Sequence, residues 1–307
     1  MRKILVLRGG ALGDFIVALP ALALLRERWP ATEITLIGNA QAAALAHARG
    51  LVQEVFSQHE ARWSALYSAA PLPPPLTAWL ETFDLIVNFW PDPQLELQRH
   101  FPVRAGQLFL SGDAAPSVAP AARHYCETLR PLGLEPANFR FRLAPSPPSG
   151  SSPGAASVKQ CGDESRVIAI HPGSGSPRKN WPSERWLAVM RTLVNPVLFI
   201  LGEAELERWS GSLSSLSDNV RCAVNRPLEA LVTELNHCRL FLGQDSGISH
   251  LAAACGVPCL LLFGPTDPVV WAPPGPAIRV LRRESGLDSI SVTEYEGALK
   301  QALAEHR

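Results

Sequence analysis

Short β-rich runs alternate with helical patterns along this chain, and the alternation occurs twice, which restricts the fold more than any single motif does. In the first half "KILVLR" (3–8), "EITLIG" (33–38), "DLIVNF" (84–89) and "QLFL" (107–110) read as strands, with helices near 14–28, 40–49 and 119–130. Such spacing implies βαβ units and a parallel sheet. Residues 144–157, "APSPPSGSSPGAAS", cannot pack a core and read as a linker. The pattern then restarts with "RVIAI" (166–170), "VLFILG" (197–202), "RLFLG" (239–243), "CLLLFG" (259–264) and "IRVLR" (278–282). Helices are expected near 183–194, 203–216, 227–238 and 248–255. Trp186, Leu187, Met190, Leu193 and Val194 follow the helical period and predict one face turned to a sheet. In the closing segment Ser291 and Glu294 fit a capping box, ahead of a stripe of Val292, Tyr295, Leu299 and Leu303. Two doubly wound lobes of this kind form a cleft between strand ends, where open α/β sheets bind ligands.

Composition narrows the function classes. With 28 basic and 28 acidic residues the chain has no net charge, so its bulk electrostatics do not suggest nucleic acid. Although 47% of residues are hydrophobic, no apolar run approaches the roughly 18 residues of a membrane span. "FIVALPALALL" is too short and holds a proline. The N-terminal residues do not form a secretory signal, so a cytoplasmic protein is expected. Six cysteines without a C-x-x-C pair read as free thiols of a reducing compartment. His250 lies five residues before Cys255, with no further ligand at zinc spacing.

"RGGALGDFI" (8–16) sits where a dinucleotide enzyme keeps its phosphate loop, yet Arg8 occupies the first glycine position of G-x-G-x-x-G. Asp14 would set a carboxylate against any phosphate bound there. The second strand ends in Gly38 and Asn39 rather than an acid. A nicotinamide oxidoreductase would need both the missing glycine and that acid. In the second half, the hydroxyls of Ser174 and Ser176, the loop amides and Lys179 of "HPGSGSPRKNWPSERW" suit a pyrophosphate. They suit a flexible loop with a solvated lysine equally well. "FLGQDSGISHLAAACG" repeats the strand–loop–helix logic with Asp245 and Ser246 before a helix at Gly247. Asp245 reads there as a helix cap and His250 as a core histidine or a ligand. Pro265, Thr266 and Asp267 end a third strand at the same sheet edge.

Taken in order, "RGGALGDFIVALPALALLR", "HPGSGSPRKNWPSERW" and "GQDSGISHLAAACGVPCLLLFGPTDP" resemble glycosyltransferase family 9, which contains the ADP-heptose:lipopolysaccharide heptosyltransferases. The resemblance runs to about residue 275 and implies an α/β fold of GT-B architecture, two Rossmann-like doubly wound lobes with an interdomain cleft. It implies an acceptor lobe over 1–145, a linker over 146–164 and a nucleotide-sugar lobe over 165–307, with the closing helix free to pack back on the first lobe. The implied activity is inverting transfer of heptose from ADP-heptose to a hydroxyl of a lipopolysaccharide-core-type acceptor, a glycolipid or saccharide, with no catalytic metal and no other cofactor. The sequence accordingly has no D-x-D pair. Asp14 corresponds to the family's catalytic base. Lys179 corresponds to the residue on the donor phosphates, with Ser174 beside it, and Asp245, Ser246, Gly247 and His250 to the donor signature. The ribose carboxylate is Glu203 or Glu205. Residues 61–75 match no acceptor pattern, and Arg62, Arg99, Arg104 and Arg123 are either ligands of an anionic acceptor or scattered surface charges. A cytoplasmic location with peripheral contact at the inner membrane would follow. A sugar-nucleotide epimerase of the same architecture, or a sugar-nucleotide-binding protein without catalysis, are the alternatives.

Overall fold

The computed structural model describes residues 1–145 and 167–306, so the linker expected over 146–164 lies outside the described residues. The chain forms two compact units, Met1–Phe141 and Arg142–Arg307. Residues 142–145, expected in the first lobe, belong to the second. Leu143 is fully buried, and its amide donates to the carbonyl of Ala254 at 2.8 Å.

The first unit runs β1 (Lys3–Arg8), α1 (Leu12–Ile16), α2 (Leu19–Arg28), β2 (Glu33–Gly38), α3 (Ala40–His47) and β3 (Glu54–Ser57). It continues with α4 (Pro74–Leu80), β4 (Leu85–Asn88), α5 (Glu96–His100), β5 (Leu108–Ser111) and α6 (Ala121–Glu127). All pairings are parallel, in the order β3-β2-β1-β4-β5. β1, β2 and β4 are buried along almost their whole length, which is why they read as unbroken apolar runs. The single helix expected over 14–28 is two. Pro20 has no amide to give the preceding turn, so the helix stops at Ile16 and restarts at Leu19 with the proline in its first turn. The stretch "PLPPPL" ends in α4, which likewise opens on prolines.

The second unit runs β6 (Ile168–Ile170), α7 (Ser183–Thr192), β7 (Val197–Leu201), α8 (Glu203–Trp209), β8 (Val220–Val224) and α9 (Leu228–Leu235). β9 (Leu240–Gln244), α10 (Gly247–Ala254), β10 (Cys259–Phe263), α11 (Pro268–Trp271), β11 (Ile278–Arg282) and α12 (Val292–Glu305) follow. The strand order is β11-β10-β9-β6-β7-β8, again with parallel pairings. The chain moves outward from β6 through β7 to β8, then resumes on the other side of β6 with β9. The direction of winding thus reverses between β6 and β9, and the crevice outside their carboxyl ends is where such sheets bind ligands.

Trp186 and Met190 of α7 are buried against this sheet, as their spacing predicts, but Val194 lies beyond the helix and is 94% exposed. The helix expected over 203–216 is α8 followed by a 3-10 turn, Ser210–Ser215. The closing helix belongs to the second unit's own core. Tyr295, Leu299 and Ala302 are buried there, and the Tyr295 ring lies 5.1 Å from that of Trp181 and 5.5 Å from that of Trp186. Its capping box is half made. Ser291 Oγ accepts from the amide of Glu294, while the Glu294 carboxylate pairs with Arg283.

Truncating Trp186 to alanine should therefore destabilise the second unit by about 3–5 kcal/mol, the usual cost of emptying a large aromatic site. A urea titration followed by far-UV circular dichroism measures it, with the same loss expected whether or not nucleotide is present.

Candidate functional site

In the second unit the site is assembled by the loop that leaves β6. Gln244, the last residue of β9, has no exposed surface. Its Oε1 accepts from the amide of Trp181 at 2.6 Å, and its Nε2 donates to the carbonyl of Pro172 at 2.6 Å and to Asn180 Oδ1 at 2.9 Å. Ser174 joins the same network, with Oγ 2.9 Å from Asn180 Oδ1 and 2.8 Å from the carbonyl of Ser176. The Trp181 indole donates to the carbonyl of Ile290 at 3.1 Å, tying the far end of the loop to the segment before α12. Both ends of the loop of residues 171–181 are thus held by polar contacts to Gln244. Gln244, Asn180 and Trp181 were not singled out in the sequence, although a lone glutamine ending the run "LFLGQ" is a signal, since a buried amide must find partners.

The loop delivers Lys179, the last residue of a 3-10 turn (Pro177–Lys179), to the carboxyl end of β9. Its Nζ lies 2.7 Å from Oδ2 of Asp245. That oxygen has no partner aligned as a hydrogen bond, so the contact is a close ion pair rather than a directed one. An ammonium has three donors, and Lys179 keeps about a third of its side chain exposed, so it retains donors for an anion. Asp245 is not the cap of α10, as its position suggested. Ser246 holds the N-cap position and accepts from the amide of Ser249, which leaves Asp245 to the lysine. Gly247 opens the helix, and His250 is buried one turn in.

The two carboxylates at the end of β7 differ sharply. Glu203 is exposed. Glu205 is buried, and its Oε2 accepts from the amide of Gly202 at 3.0 Å, closing the first turn of α8. Its other oxygen lies against Gly173, where an added Cβ would fall inside the carboxylate and push it aside. His171 is buried beside it, with Nδ1 3.0 Å from the carbonyl of Ile200. Burial lowers the His171 pKa, and the nearby Glu205 charge opposes that shift without overcoming it. The ends of β6, β7 and β9 therefore carry Ser174, Lys179, Glu205, Asp245, Ser246, Gly247 and His250.

In the first unit the turn "RGGALGD" presents Asp14 at the third position of α1. Its Oδ2 accepts from the amide of Ala11 at 2.9 Å, and Gly10, at φ +95°, lets the backbone fold over the carboxylate. The side chain remains 35% exposed. Arg8 is buried, with its guanidinium against Asp14 and Tyr125 rather than in a phosphate turn. The arginines considered for an anionic acceptor are dispersed. Arg62 stacks on Trp63 and pairs with Glu60, Arg99 donates to the carbonyl of Gln94, Arg104 pairs with Asp84, and Arg123 pairs with Glu127. Among the described residues no three His, Cys, Asp or Glu side chains are grouped to hold a metal ion, and no helix is long and apolar enough to cross a membrane.

Residues 146–295 match the family model described as glycosyltransferase family 9 (heptosyltransferase). The match to glycosyltransferase family 9 thus covers just under half of the chain. Lipopolysaccharide heptosyltransferase 2 of Salmonella typhimurium is 26% identical over 151 residues, which are 46% of this chain and 43% of that protein. The chain thus spans less than half the length of this curated relative. Solved structures extend the likeness of fold to the first unit as well. A glycosyl transferase of family 9 from Veillonella parvula superposes with TM-score 0.77 at 22% identity, covering 99% of this chain and 98% of that one. The Escherichia coli heptosyltransferase WaaC, solved with ADP, superposes with TM-score 0.73 at 17% identity, covering 99% and 100%. The chain accordingly has the two parallel-sheet α/β domains of the GT-B type. The Asp14 turn lies outside the residues matched by the family model.

The state of His171 predicts a pH dependence. The folded chain holds this histidine neutral while the unfolded chain protonates it near its ordinary value of 6.5. The unfolded state therefore binds more protons below that pH, and stability falls as pH drops from about 6.5, by at most about 1.4 kcal/mol per unit. Denaturation of wild type and His171→Gln between pH 5 and 8 should show a shallower acid loss in the variant.

Proposed function

We propose that the protein transfers a sugar, with inversion, from a nucleoside diphosphate donor to an acceptor hydroxyl, and that the donor is ADP-heptose and the acceptor of lipopolysaccharide-core type. The observation that carries the reading is the Lys179–Asp245 pair at the crevice between β6 and β9, inside the region matched by the family model. A fixed ammonium beside the amides that open α10 suits a diphosphate, whose charge grows as the sugar leaves. Asp245 holds the lysine in place and leaves it donors to spare.

In this reading the anomeric carbon parts from the diphosphate oxygen, which keeps the bonding pair, and positive charge spreads over the sugar. Lys179, Ser246 and the amide of Gly247 stabilise the departing ADP. The acceptor oxygen bonds to the opposite face of the anomeric carbon, and its proton passes to the Asp14 carboxylate, so configuration inverts. Asp14 suits a base because Ala11 occupies only one of its oxygens and about a third of its side chain stays exposed to receive an acceptor. Of the two candidate ribose ligands we favour Glu205, since its buried carboxylate lies at the strand ends beside the loop of Lys179, whereas Glu203 faces solvent. The heptosyltransferase descriptions of the family and of its relatives support the choice of sugar.

Replacing Asp14 by Asn should abolish transfer with ADP affinity within about twofold of wild type, measured by product analysis with labelled donor and by calorimetry; turnover near the wild-type rate would remove the base. Lys179→Ala should weaken ADP binding by about 1.5–3 kcal/mol, the worth of a charge-assisted contact. At equal concentration ADP should raise the melting temperature more than UDP or GDP. A larger shift with UDP or GDP would overturn the adenine donor and leave sugar transfer standing, and transfer lost to EDTA and restored by Mg²⁺ would overturn a metal-independent mechanism.

A further inference from the structure

Arg8 ends β1 with its side chain buried, and a buried guanidinium must find acceptors. It finds two. Nε and Nη2 both donate to the main-chain carbonyl of Asp14, at 3.0 and 2.7 Å, and Nη2 also reaches the phenol oxygen of Tyr125 at 2.9 Å. The carbonyl is free for this because α1 ends so soon. In a continuing helix it would accept from the amide of Ala18, but that amide donates to Phe15 instead as the chain tightens before Pro20. The guanidinium carbon also lies 4.4 Å from the centre of the Tyr125 ring, and the phenol donates onward to the carbonyl of Ala114 at 2.8 Å. Burial raises the Tyr125 pKa, so this donor stays protonated.

The same guanidinium is 3.8 Å from Oδ1 of Asp14, too long for a hydrogen bond but within ion-pair range. The carboxylate is thus set from three sides. The amide of Ala11 takes Oδ2, the Gly10 turn passes over it, and Arg8 fixes the backbone from which it projects while leaving Oδ1 able to accept a proton.

We propose that Arg8 is the positioning residue of the catalytic base: it holds the first turn of α1, and with it the Asp14 carboxylate, in the geometry for proton removal, with Tyr125 as its anchor. This rests on the reading of Asp14 as the base. Arg8 makes no hydrogen bond to the proton-accepting Oδ1 and no contact with either substrate in this reading, so its loss acts on turnover and not on either substrate's affinity. Lysine keeps the charge but cannot place two donors on one carbonyl while reaching the phenol.

The test compares Asp14→Asn, Arg8→Lys and Tyr125→Phe in the full chain, reading kcat, acceptor KM, ADP affinity and far-UV circular dichroism. Arg8→Lys should lower kcat by about 10- to 100-fold, the scale of a misplacement near 1 Å, with acceptor KM and ADP affinity within about twofold. Tyr125→Phe keeps the ring under the guanidinium and should lower kcat by about three- to tenfold with the same split. If Arg8→Lys fails to fold, Tyr125→Phe decides by that criterion. A folded Arg8→Lys within threefold of wild-type kcat overturns the proposal while Asp14→Asn remains inactive, and so does a fall in kcat matched by an equal loss of ADP affinity. Wild-type turnover in Asp14→Asn would overturn the base itself, and the positioning role with it.

Discussion

Gln244 is an uncharged amide at the end of β9 with no access to water, and the second unit's site is arranged around satisfying it. One side chain supplies three hydrogen bonds to the loop of residues 171–181, and a buried amide left short of partners costs about 1–3 kcal/mol per unmade bond. The loop cannot take another course without breaking several of these contacts together. Its rigidity is what places Lys179 against Asp245, since a lysine on a freely moving loop would lose the entropy of a long side chain each time it met an anion. The contact between Glu205 and Gly173 adds a steric limit from the β7 side.

The first unit uses the same device. Arg8 and Asn88 end β1 and β4, the two strands between which that sheet reverses its winding, and both are buried. Asn88 accepts from the amide of Trp90 at 2.9 Å and donates to Ser111 Oγ at 3.1 Å, so the loop after β4 is fixed from beneath, as the loop after β1 is by Arg8. In each case a polar residue ending an apolar strand turns back to hold the segment that follows. The turn that in a dinucleotide enzyme would be made by the first glycine of the fingerprint is stiffened here by an arginine, and it presents an acid.

The two parallel sheets were legible because inner strands buried on both faces spell continuous apolar runs, and the helices between them have one apolar stripe; the order of the strands was not. The short outer strands β3 and β8 were not, since "EVFS" and "VRCAV" are half-exposed and mix polar with apolar residues. The division of the first helix was written in Pro20 but overridden by the apolar periodicity on both sides. At the site, Lys179, Asp245 and Ser246 were visible as residues of the right type before helices, while their partnership was not. Residues 66 positions apart meet only because β6 and β9 are neighbours, and nothing local in either segment records that pairing. That Glu205 is buried and Glu203 exposed also needed three dimensions, because the two differ in which side of a helix faces the strand ends.

The arginines of the second sheet's outer strands have a consequence for association. An open sheet ends in strands with unpaired amides and carbonyls, which invite another chain to add a strand. Arg221 of β8 pairs with Glu234 of α9 at 2.8 Å, and Arg279 of β11 pairs with Glu305 of α12 at 2.6 Å, while Arg282 lies 3.8 Å from Asp267. A strand laid along either edge would have to strip water from these charges. The charged borders therefore oppose edge-to-edge growth, and a chain that is nearly half apolar and carries no net charge is guarded against aggregation at the places where its backbone is most open to it.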